Sequence, residues 1–315
     1  MQQRYVGNSG LRASALSLGT MSWPRETDDQ DASELLRTFV DGGGSLVDTA
    51  ASYADGLAEA MLGEMIGDVV SRTEVVISTK AGVSASDGRQ KVDASRNAML
   101  SALDASLVRL GTDYVDIWFA QAWDHNVPLD ETLSALDLAV RSGRARYAGI
   151  ANYNGWQTAK AAAVAGFPLV ASQAEYSLLR RKPEEELIPA IEDAGLGLMA
   201  WAPLGRGVLT GKYRGHVPAD SRAAGTRLAT YVEPYLQQPA SQVVEAVAMA
   251  ARGLGRSPVD VALSWLLSQH GVATAIVGPR TPVQLKEILD SQLTPLPAGF
   301  PNPSLTVHLN FQYTR

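Results

Sequence analysis

The sequence predicts an α/β protein of the (β/α)8 TIM-barrel class, which we expect to form a single domain over residues 1–315. Three observations support this prediction: the chain length, eight short apolar segments and helix-patterned segments between them. At 315 residues, the chain matches one barrel, because such barrels take about 250 residues or more. The apolar segments are nearly continuous rather than alternating, which is typical of parallel strands buried on both faces.

The eight apolar segments are the expected barrel strands, and helices are expected between them. The strand segments are Ala15–Thr20, Ser45–Ala50, Glu74–Lys80, Val115–Gln121, Tyr147–Asn152, Leu169–Tyr176, Gly195–Pro203 and Thr274–Gly278. Three helical segments, Asp93–Gly111, Asp130–Gly143 and Pro183–Gly195, keep apolar residues at helical spacing and end at a glycine, a common helix C-cap.

Two segments lie outside this repeat. Tyr5–Leu16 contains the turn-forming sequence Asn-Ser-Gly and predicts an N-terminal β-hairpin that closes the bottom of the barrel. Arg206–Ala273 is a long connection between the seventh and eighth strands, with helical stretches at Ser241–Arg256 and Pro258–Gly271. Loops of this length at the carboxyl end of barrel strands are usually functional, so we expect a lid over a ligand.

Composition excludes several classes of function. A net charge of −6 argues against nucleic-acid binding, and the absence of cysteine removes disulfides, thiolate metal sites and cysteine nucleophiles. The four histidines are too far apart for a zinc motif of the HExxH type, so no metal site is expected. No targeting segment or stretch of about 18 apolar residues is present, so we expect a cytoplasmic protein without a membrane partner. The sequence leaves the oligomeric state open.

Polar residues at the ends of two strands suggest a proton donor. Asp48 ends the second strand, Tyr53 follows in the next loop, and Lys80 ends the third strand. A free tyrosine has a pKa of about 10, and an adjacent ammonium lowers the pKa of a phenol. A carboxylate holds the lysine charged and in place, so the trio suits protonation of an oxyanion. The alternative is a structural ion pair beside a packed tyrosine.

Several motifs in order along the chain resemble the aldo-keto reductase family, from Arg4 to about Asp290. DTAASYADGLAEAMLG resembles the family's DTAxxYGxGxSExxLG. The other matching stretches are GTDYVDIWFAQ, GRARYAGIANY, SQAEYSLLRR, WAPLGRGVLTGKY and VGPRTPVQLKEIL. The resemblance implies NAD(P)H-dependent reduction of aldehydes and ketones on a barrel that binds its cofactor without a Rossmann domain. No GxGxxG motif follows a predicted strand, which agrees with that implication.

The resemblance also implies roles for individual residues. Asp48, Tyr53 and Lys80 match three of four catalytic positions, and Gln121 takes the fourth. The cofactor-binding positions implied are Gly19, Asn152, Gln173, Trp201, Pro203, Leu204, Arg206, Gly207, Lys212, Gly278, Arg280, Gln284 and Glu287. Asn152 and Gln173 would bind the nicotinamide carboxamide, with Trp201 stacked on the ring. The stretch from Leu204 to Lys212 would cover the pyrophosphate, with Arg206 as a candidate contact.

Arg280 favours NADPH over NADH. The family holds the adenosine 2′-phosphate at the positions of Arg280 and Gln284, and a guanidinium binds phosphate with two parallel hydrogen bonds. A helix that begins at about Thr281 would add a favourable dipole. The alternative is a surface arginine at a helix start.

The expected substrate is a small carbonyl compound, and its expected pocket is formed by Met21, Trp23, Tyr53, Trp123 and parts of the loop Gly215–Gln238. The two tryptophans suggest an apolar pocket, with rim packing as the alternative. The tail from Pro301 matches no motif, and we expect it to fold over the rim or to pair with another chain.

Gln121 stands where the family has histidine. An amide can donate a hydrogen bond to the substrate oxygen but does not titrate near neutral pH. Three outcomes follow: carbonyl reduction with Tyr53 alone as the acid, reduction of an enone double bond, or a non-catalytic role in which the chain binds NADPH. His125 in the next loop is a candidate replacement, with an ordinary surface histidine as the alternative. Ala54 replaces a glycine that is common in the family's loops, with no predicted effect.

Overall fold

The computed structural model describes residues 1–86, 89–225 and 228–297. Eight parallel strands close into a barrel in which chain neighbours are also sheet neighbours, and the last strand pairs with the first. The barrel strands are β3 Leu16–Gly19, β4 Leu46–Asp48, β5 Val76–Ala81, β8 Val115–Ala120, β9 Ala145–Ala151, β10 Leu169–Glu175, β11 Gly197–Trp201 and β12 Val272–Val277. The predicted (β/α)8 barrel is confirmed, and each strand is found within or next to its predicted segment.

Helices surround the barrel. Their bounds are α1 Asp29–Asp41, α2 Leu57–Met65, α3 Arg96–Leu110, α4 Leu129–Arg141, α5 Gly155–Val164, α6 Leu187–Ala194, α7 Ala229–Val232, α8 Ala240–Leu254, α9 Pro258–Leu267 and α10 Pro282–Leu289. Helix α3 begins later than its predicted segment because the Ser95 side chain caps it by accepting from the Ala98 amide. It ends where Gly111 adopts the left-handed conformation, as the sequence predicts.

The predicted N-terminal hairpin is confirmed and closes the bottom of the barrel. Its strands, β1 Gln3–Tyr5 and β2 Arg12–Ser14, pair antiparallel. The connecting loop packs closely under the barrel, because a Cβ atom on Gly7 would lie 2.5 Å from the carbonyl oxygen of Gly195. Gly7 also has a φ of 57°, so both space and backbone conformation favour glycine at this position.

A second hairpin was not predicted. Strands β6 Val83–Ser86 and β7 Arg89–Val92 pair antiparallel directly after β5, at the carboxyl end of the barrel. The sequence between them, Asp-Gly, is a common hairpin signal. The hairpin contributes Gln90 to the cavity described below.

Alternation along the strands separates an apolar barrel floor from a polar rim. Side chains two residues apart on a strand share a face, so Leu46 lies below Asp48 and Phe119 lies below Gln121. Buried members of the cluster that fills the lower barrel include Leu46, Ile117, Phe119 and Met199. The larger hydrophobic cluster lies between the strands and the helices. Buried hydroxyl side chains also lie along the strands, as in the Ser17–Thr274 pair, whereas the charged and amide side chains Asp48, Lys80 and Gln173 lie towards the carboxyl ends, where connections leave the barrel.

The long connection between β11 and β12 contains α8 and α9, which match its two predicted helical stretches, and the short helix α7, which was not predicted. The predicted role of the tail from Pro301 lies outside the described residues. Within the described ranges, no helix combines the length and the apolar character needed to cross a bilayer.

Candidate active site

Polar side chains from several strand ends meet in one cavity of about 860 Å³ at the carboxyl end of the barrel. Asp48 ends β4, Lys80 lies near the end of β5, and Gln121 directly follows β8. All three line the cavity together with Tyr53. The four residues that the resemblance assigned to catalysis are therefore brought together.

Asp48 is buried and accepts three hydrogen bonds. Its Oδ1 accepts from Ser78 Oγ at 2.7 Å and from Gln173 Nε2 at 2.9 Å, while Oδ2 accepts from Lys80 Nζ at 2.7 Å. Ser78 and Lys80 project from the same face of β5, which places both beside the carboxylate. This carboxylate is held by three strands and keeps one orientation towards the lysine.

Lys80 connects Asp48 to Tyr53. Its ammonium donates to Asp48, to the backbone carbonyl of Thr49 at 2.7 Å and to the hydroxyl oxygen of Tyr53 at 3.4 Å. The side chain is only 2% exposed. Burial lowers the pKa of Lys80 below the ordinary value of 10.5, although Asp48 opposes that shift. The result is a buried ammonium with its three protons directed at three oxygen atoms.

Tyr53 lies at the start of a short 3-10 turn with an unusual backbone. Ala54 and Asp55, which follow it, have φ values of 50° and 57°. The left-handed conformation costs a residue with a side chain about 1 kcal/mol or more. This explains why a glycine is common at the position of Ala54, where the substitution had no predicted effect.

Gln121 is half-buried, and its side-chain amide hydrogen-bonds to Ser52, a residue that no sequence motif singled out. Its backbone N–H donates to the carbonyl oxygen of Ala81. His125, the candidate replacement for the missing histidine, is exposed and lies outside the cavity lining. Its position matches the alternative of an ordinary surface histidine.

Asn152 and Trp201 form a second polar contact beside the cavity. Trp201 Nε1 donates to Asn152 Oδ1 at 3.0 Å, and Asn152 Nδ2 donates to the backbone carbonyl of Gln121 at 2.9 Å. Asn152 has a φ of 61°, a conformation that asparagine tolerates better than most residues. These contacts fix the amide plane, and they leave one of its two N–H groups for another acceptor.

Three cationic side chains that line the cavity lie close enough to influence one another: Lys212, Arg222 and Arg280. Burial and the charges of Arg222 and Arg280 lower the pKa of Lys212. Burial also lowers the pKa of Arg222, where Glu26 opposes the shift and Arg280 adds to it. Among the described residues, the Nε of Arg222 is buried without an acceptor. Clustered cations with an unsatisfied donor fit a bound anionic group such as phosphate.

Arg222 was missed by the sequence reasoning. It lies in the long connection after β11, and its Nη2 donates to the carbonyl oxygen of Gly278 at 3.0 Å. Arg280 is bonded to the backbone carbonyl of Asp220 and through its own amide to Gln284 Oε1. The only sequence signal for Arg222 was its position in a loop already expected to act as a lid.

Arg206 corrects an expectation. Its guanidinium is buried and donates from Nε and Nη2 to the two carboxylate oxygens of Glu175, both at 2.9 Å, rather than being directed at a phosphate. Nη1 donates to the carbonyl oxygen of Tyr231 at 2.6 Å, and the guanidinium stacks on the Tyr231 ring. Glu175 also accepts from the Tyr235 hydroxyl at 3.1 Å. The side chain therefore fastens the loop to the barrel.

The remaining predicted positions divide into two groups. Those that line the cavity are Gly19, Met21, Pro203, Leu204, Gly207, Gly278, Gln284 and Glu287. Trp23 is fully buried and does not line it, which matches the alternative of rim packing rather than a substrate contact. Trp123 is also outside the lining and packs edge-on against Tyr153 and Trp156. Within the described part of the chain, no three histidine, aspartate or glutamate residues are arranged to hold a metal ion.

Comparison with known proteins agrees with this geometry. The model of the aldo/keto reductase family matches residues 15–299. The uncharacterised oxidoreductase YrpG of Bacillus subtilis (strain 168) is 35% identical over 302 residues, covering 92% of this chain and 90% of that protein. The L-glyceraldehyde 3-phosphate reductase of Escherichia coli (strain K12) is 36% identical over 300 residues, covering 91% and 86%.

A third relative is named as a channel subunit rather than as an oxidoreductase. A probable voltage-gated potassium channel subunit beta of Oryza sativa subsp. japonica is 35% identical over 296 residues, covering 91% of this chain and 90% of that protein. The relatives thus include oxidoreductases and a channel subunit at similar identity. Since the family model matches most of its length, the chain belongs to the aldo/keto reductase family.

Proposed function

We propose that the chain is an NADPH-dependent reductase that converts aldehydes or ketones to alcohols. The observation that carries the proposal is the line of contacts from Asp48 through Lys80 to Tyr53. Its last member, a phenolic hydroxyl, faces a cavity large enough for a cofactor and a small substrate. Proton donation by a positioned side chain is the chemistry that this arrangement supports best.

The protein's part in the reaction is to bind, orient and protonate the carbonyl oxygen. Tyr53 transfers its phenolic proton to that oxygen, and the Lys80 ammonium stabilises the negative charge that develops on the phenol. Asp48 favours the charged form of Lys80, and Gln121 donates an N–H to the same carbonyl oxygen. When bound, the reduced nicotinamide supplies the hydride that adds to the carbonyl carbon. One hydride and one proton convert C=O to CH–OH.

The choice of NADPH is supported by the cluster of cations in the cavity lining. Lys212, Arg222 and Arg280 would hold the phosphate groups, since they repel one another without an anion between them. Asn152 and Gln173 would bind the carboxamide, and Trp201 would provide an aromatic face for the ring. A third phosphate on NADPH adds two charges that NADH lacks, and these favour a site with several cations.

The test is NADPH consumption with a panel of aldehydes, ketones, dicarbonyls and a phosphorylated triose, measured for the native protein and for Tyr53→Phe. A general acid contributes about 10² to 10⁴ in rate, so we expect kcat/KM to fall at least about 100-fold in the variant. Tyr5→Phe, on the hairpin at the opposite end of the barrel, is the control. Equal rates in native protein and Tyr53→Phe would refute the assignment.

A non-catalytic, cofactor-binding role is the second candidate. It is favoured by the absence of a titratable group at Gln121 and by the similarity to a channel subunit. It predicts saturable NADPH binding with no turnover above that of Tyr53→Phe on any compound of the panel. An enone in the panel tests the third alternative, because product analysis separates an allylic alcohol from a saturated ketone.

A further inference from the structure

Both polar atoms of the Gln121 side-chain amide contact the same hydroxyl group, that of Ser52. Ser52 Oγ lies 3.0 Å from Gln121 Oε1 and 2.9 Å from Gln121 Nε2. Exchanging the two amide atoms would leave the same pair of contacts, so the arrangement does not depend on which atom is assigned as oxygen. Gln121 lines the cavity and Ser52 does not, which places Ser52 behind the amide.

This double contact determines what the amide can still donate. A primary amide has two N–H groups, one on the same side as its carbonyl oxygen and one on the opposite side. A hydroxyl that donates to the oxygen and accepts from the near N–H closes a ring of hydrogen bonds. The ring fixes the plane of the amide and occupies one donor. The far N–H remains available to a group in the cavity.

The backbone adds to the precision of this arrangement. Ser52 directly precedes Tyr53, so the residue that orients the amide is covalently joined to the residue that carries the acid. The backbone of Gln121 is held by its bonds to the Ala81 carbonyl and to Asn152 Nδ2. Amide and phenol are therefore positioned relative to each other through a single short segment.

We propose that Ser52 is a positioning residue that holds the Gln121 amide with one N–H available to the carbonyl oxygen protonated by Tyr53. The inference rests on the proposed reductase function. Ser52 fixes the plane of the amide at a position where the family has histidine, and within that plane one N–H stays unpaired in either orientation of the amide. An amide without this contact would be free to rotate out of the plane and to lose its alignment with the substrate oxygen.

The test is a double-mutant cycle with Ser52→Ala, Gln121→Ala and the combined variant. We expect Ser52→Ala to lower kcat/KM about 5- to 10-fold, the size expected for loss of one neutral hydrogen bond, with the NADPH dissociation constant unchanged. In the Gln121→Ala background the same change is expected to have less than about a twofold effect. Ser52→Thr, which keeps a hydroxyl, is expected to retain most of the activity.

A readout without turnover accompanies the cycle. The side-chain amide protons of Gln121, assigned by NMR through Gln121→Ala, are expected to shift in Ser52→Ala because one of them loses its acceptor. Equal losses from Ser52→Ala in both backgrounds, or full activity of Ser52→Ala, would overturn the positioning role. Failure of the reductase proposal is distinct, because the native protein itself would then show no turnover that depends on Tyr53.

Discussion

The protonation state of Lys80 sets the alkaline limit of the proposed reaction. Burial lowers the pKa of Lys80, and Asp48 offsets only part of that shift. The ammonium is present below this pKa and is lost as the pH rises through it. We therefore expect kcat/KM to fall at alkaline pH with a midpoint below 10.5, the ordinary lysine value. Rates measured at saturating NADPH from pH 5.5 to 10.5 test this expectation.

The same pH series should be flat between about pH 6 and 8, because the amide of Gln121 does not titrate there. Gln121→His provides the matched control, since an imidazole with a pKa of about 6.5 should add an inflection to the profile. An inflection near neutral pH in the native protein would contradict this prediction and would point to a titrating group outside the four site residues.

Individual residues also show how far sequence reasoning extends. Asp48 and Lys80 were predictable because they end buried strands, and strand ends meet at one rim of a barrel. Ser52 and Arg222 were not, because their partners depend on loop conformations that carry no periodic signal. Arg206 was misjudged since its motif position is shared with phosphate-binding loops, while its actual partner, Glu175, ends a different strand.

At the scale of elements, the feature that matters most is the capping segment, residues 205–235, which follows β11. Its described parts contribute Arg206, Arg222 and Tyr231 to the cavity lining. The bidentate pair between Arg206 and Glu175 anchors the segment to the end of β10, with Arg206 2% and Glu175 8% exposed. The electrostatic attraction within a buried, charge-assisted ion pair is screened by solvent and salt much less than that of a surface pair.

Glu175→Gln is expected to loosen the capping segment and weaken NADPH binding. The neutral amide cannot match two guanidinium donors, and a hydrogen bond to a charged group contributes about 1.5–3 kcal/mol. Because 1.4 kcal/mol is a factor of ten in affinity, we expect the dissociation constant to rise about tenfold or more. Fluorescence titration measures it, and limited proteolysis reports cleavage within the segment.

Glu245→Gln is the matched control for this prediction. It removes the carboxylate from Arg214 of the same segment, at similar distances but with side chains 37% and 50% exposed. Exposed pairs contribute little to stability, so affinity and cleavage should stay near those of the native protein. Equal effects of the two variants would show that the buried pair has no special role.

Element boundaries differ from the predicted segments for local reasons. Helix α6 begins at Leu187 rather than Pro183 because a separate 3-10 turn occupies Lys182–Glu184. The hairpin β6–β7 was overlooked because its strands are short and polar, without the apolar run that identified the barrel strands. Strand number and order were predictable since burial on both faces imposes continuous apolar runs.

At the scale of the whole molecule, one cavity holds the two groups of residues to which we assign different tasks. The residues of the proposed proton transfer lie at or just after strand ends, above the apolar floor. Lys212, Arg222 and Arg280 line the same cavity from the capping segment and from the residues before α10. Binding energy from the cation cluster can therefore help to orient the reacting part of the bound cofactor, although no side chain belongs to both groups.

If the cation cluster binds the cofactor's phosphates, cofactor binding should stabilise the folded protein. NADPH should stabilise it more than NADH does. A ligand at 100 times its dissociation constant adds about 2.7 kcal/mol to the free energy of unfolding. Each kcal/mol shifts Tm by about 2–4 °C in chains of 150–250 residues and by somewhat less in a longer one. We therefore expect NADPH to raise Tm by several degrees, and NADH at the same concentration to raise it less.

Arg280→Ala should remove most of the difference between the two cofactors, because Arg280 directly precedes the N-cap of α10, where the resemblance implies the 2′-phosphate. Arg252→Ala, on the exposed end of α8, changes the net charge equally and should preserve the difference. Thermal unfolding of the three proteins with each cofactor measures this without any turnover. Equal shifts with NADH and NADPH in the native protein would show that the cation cluster binds the pyrophosphate alone.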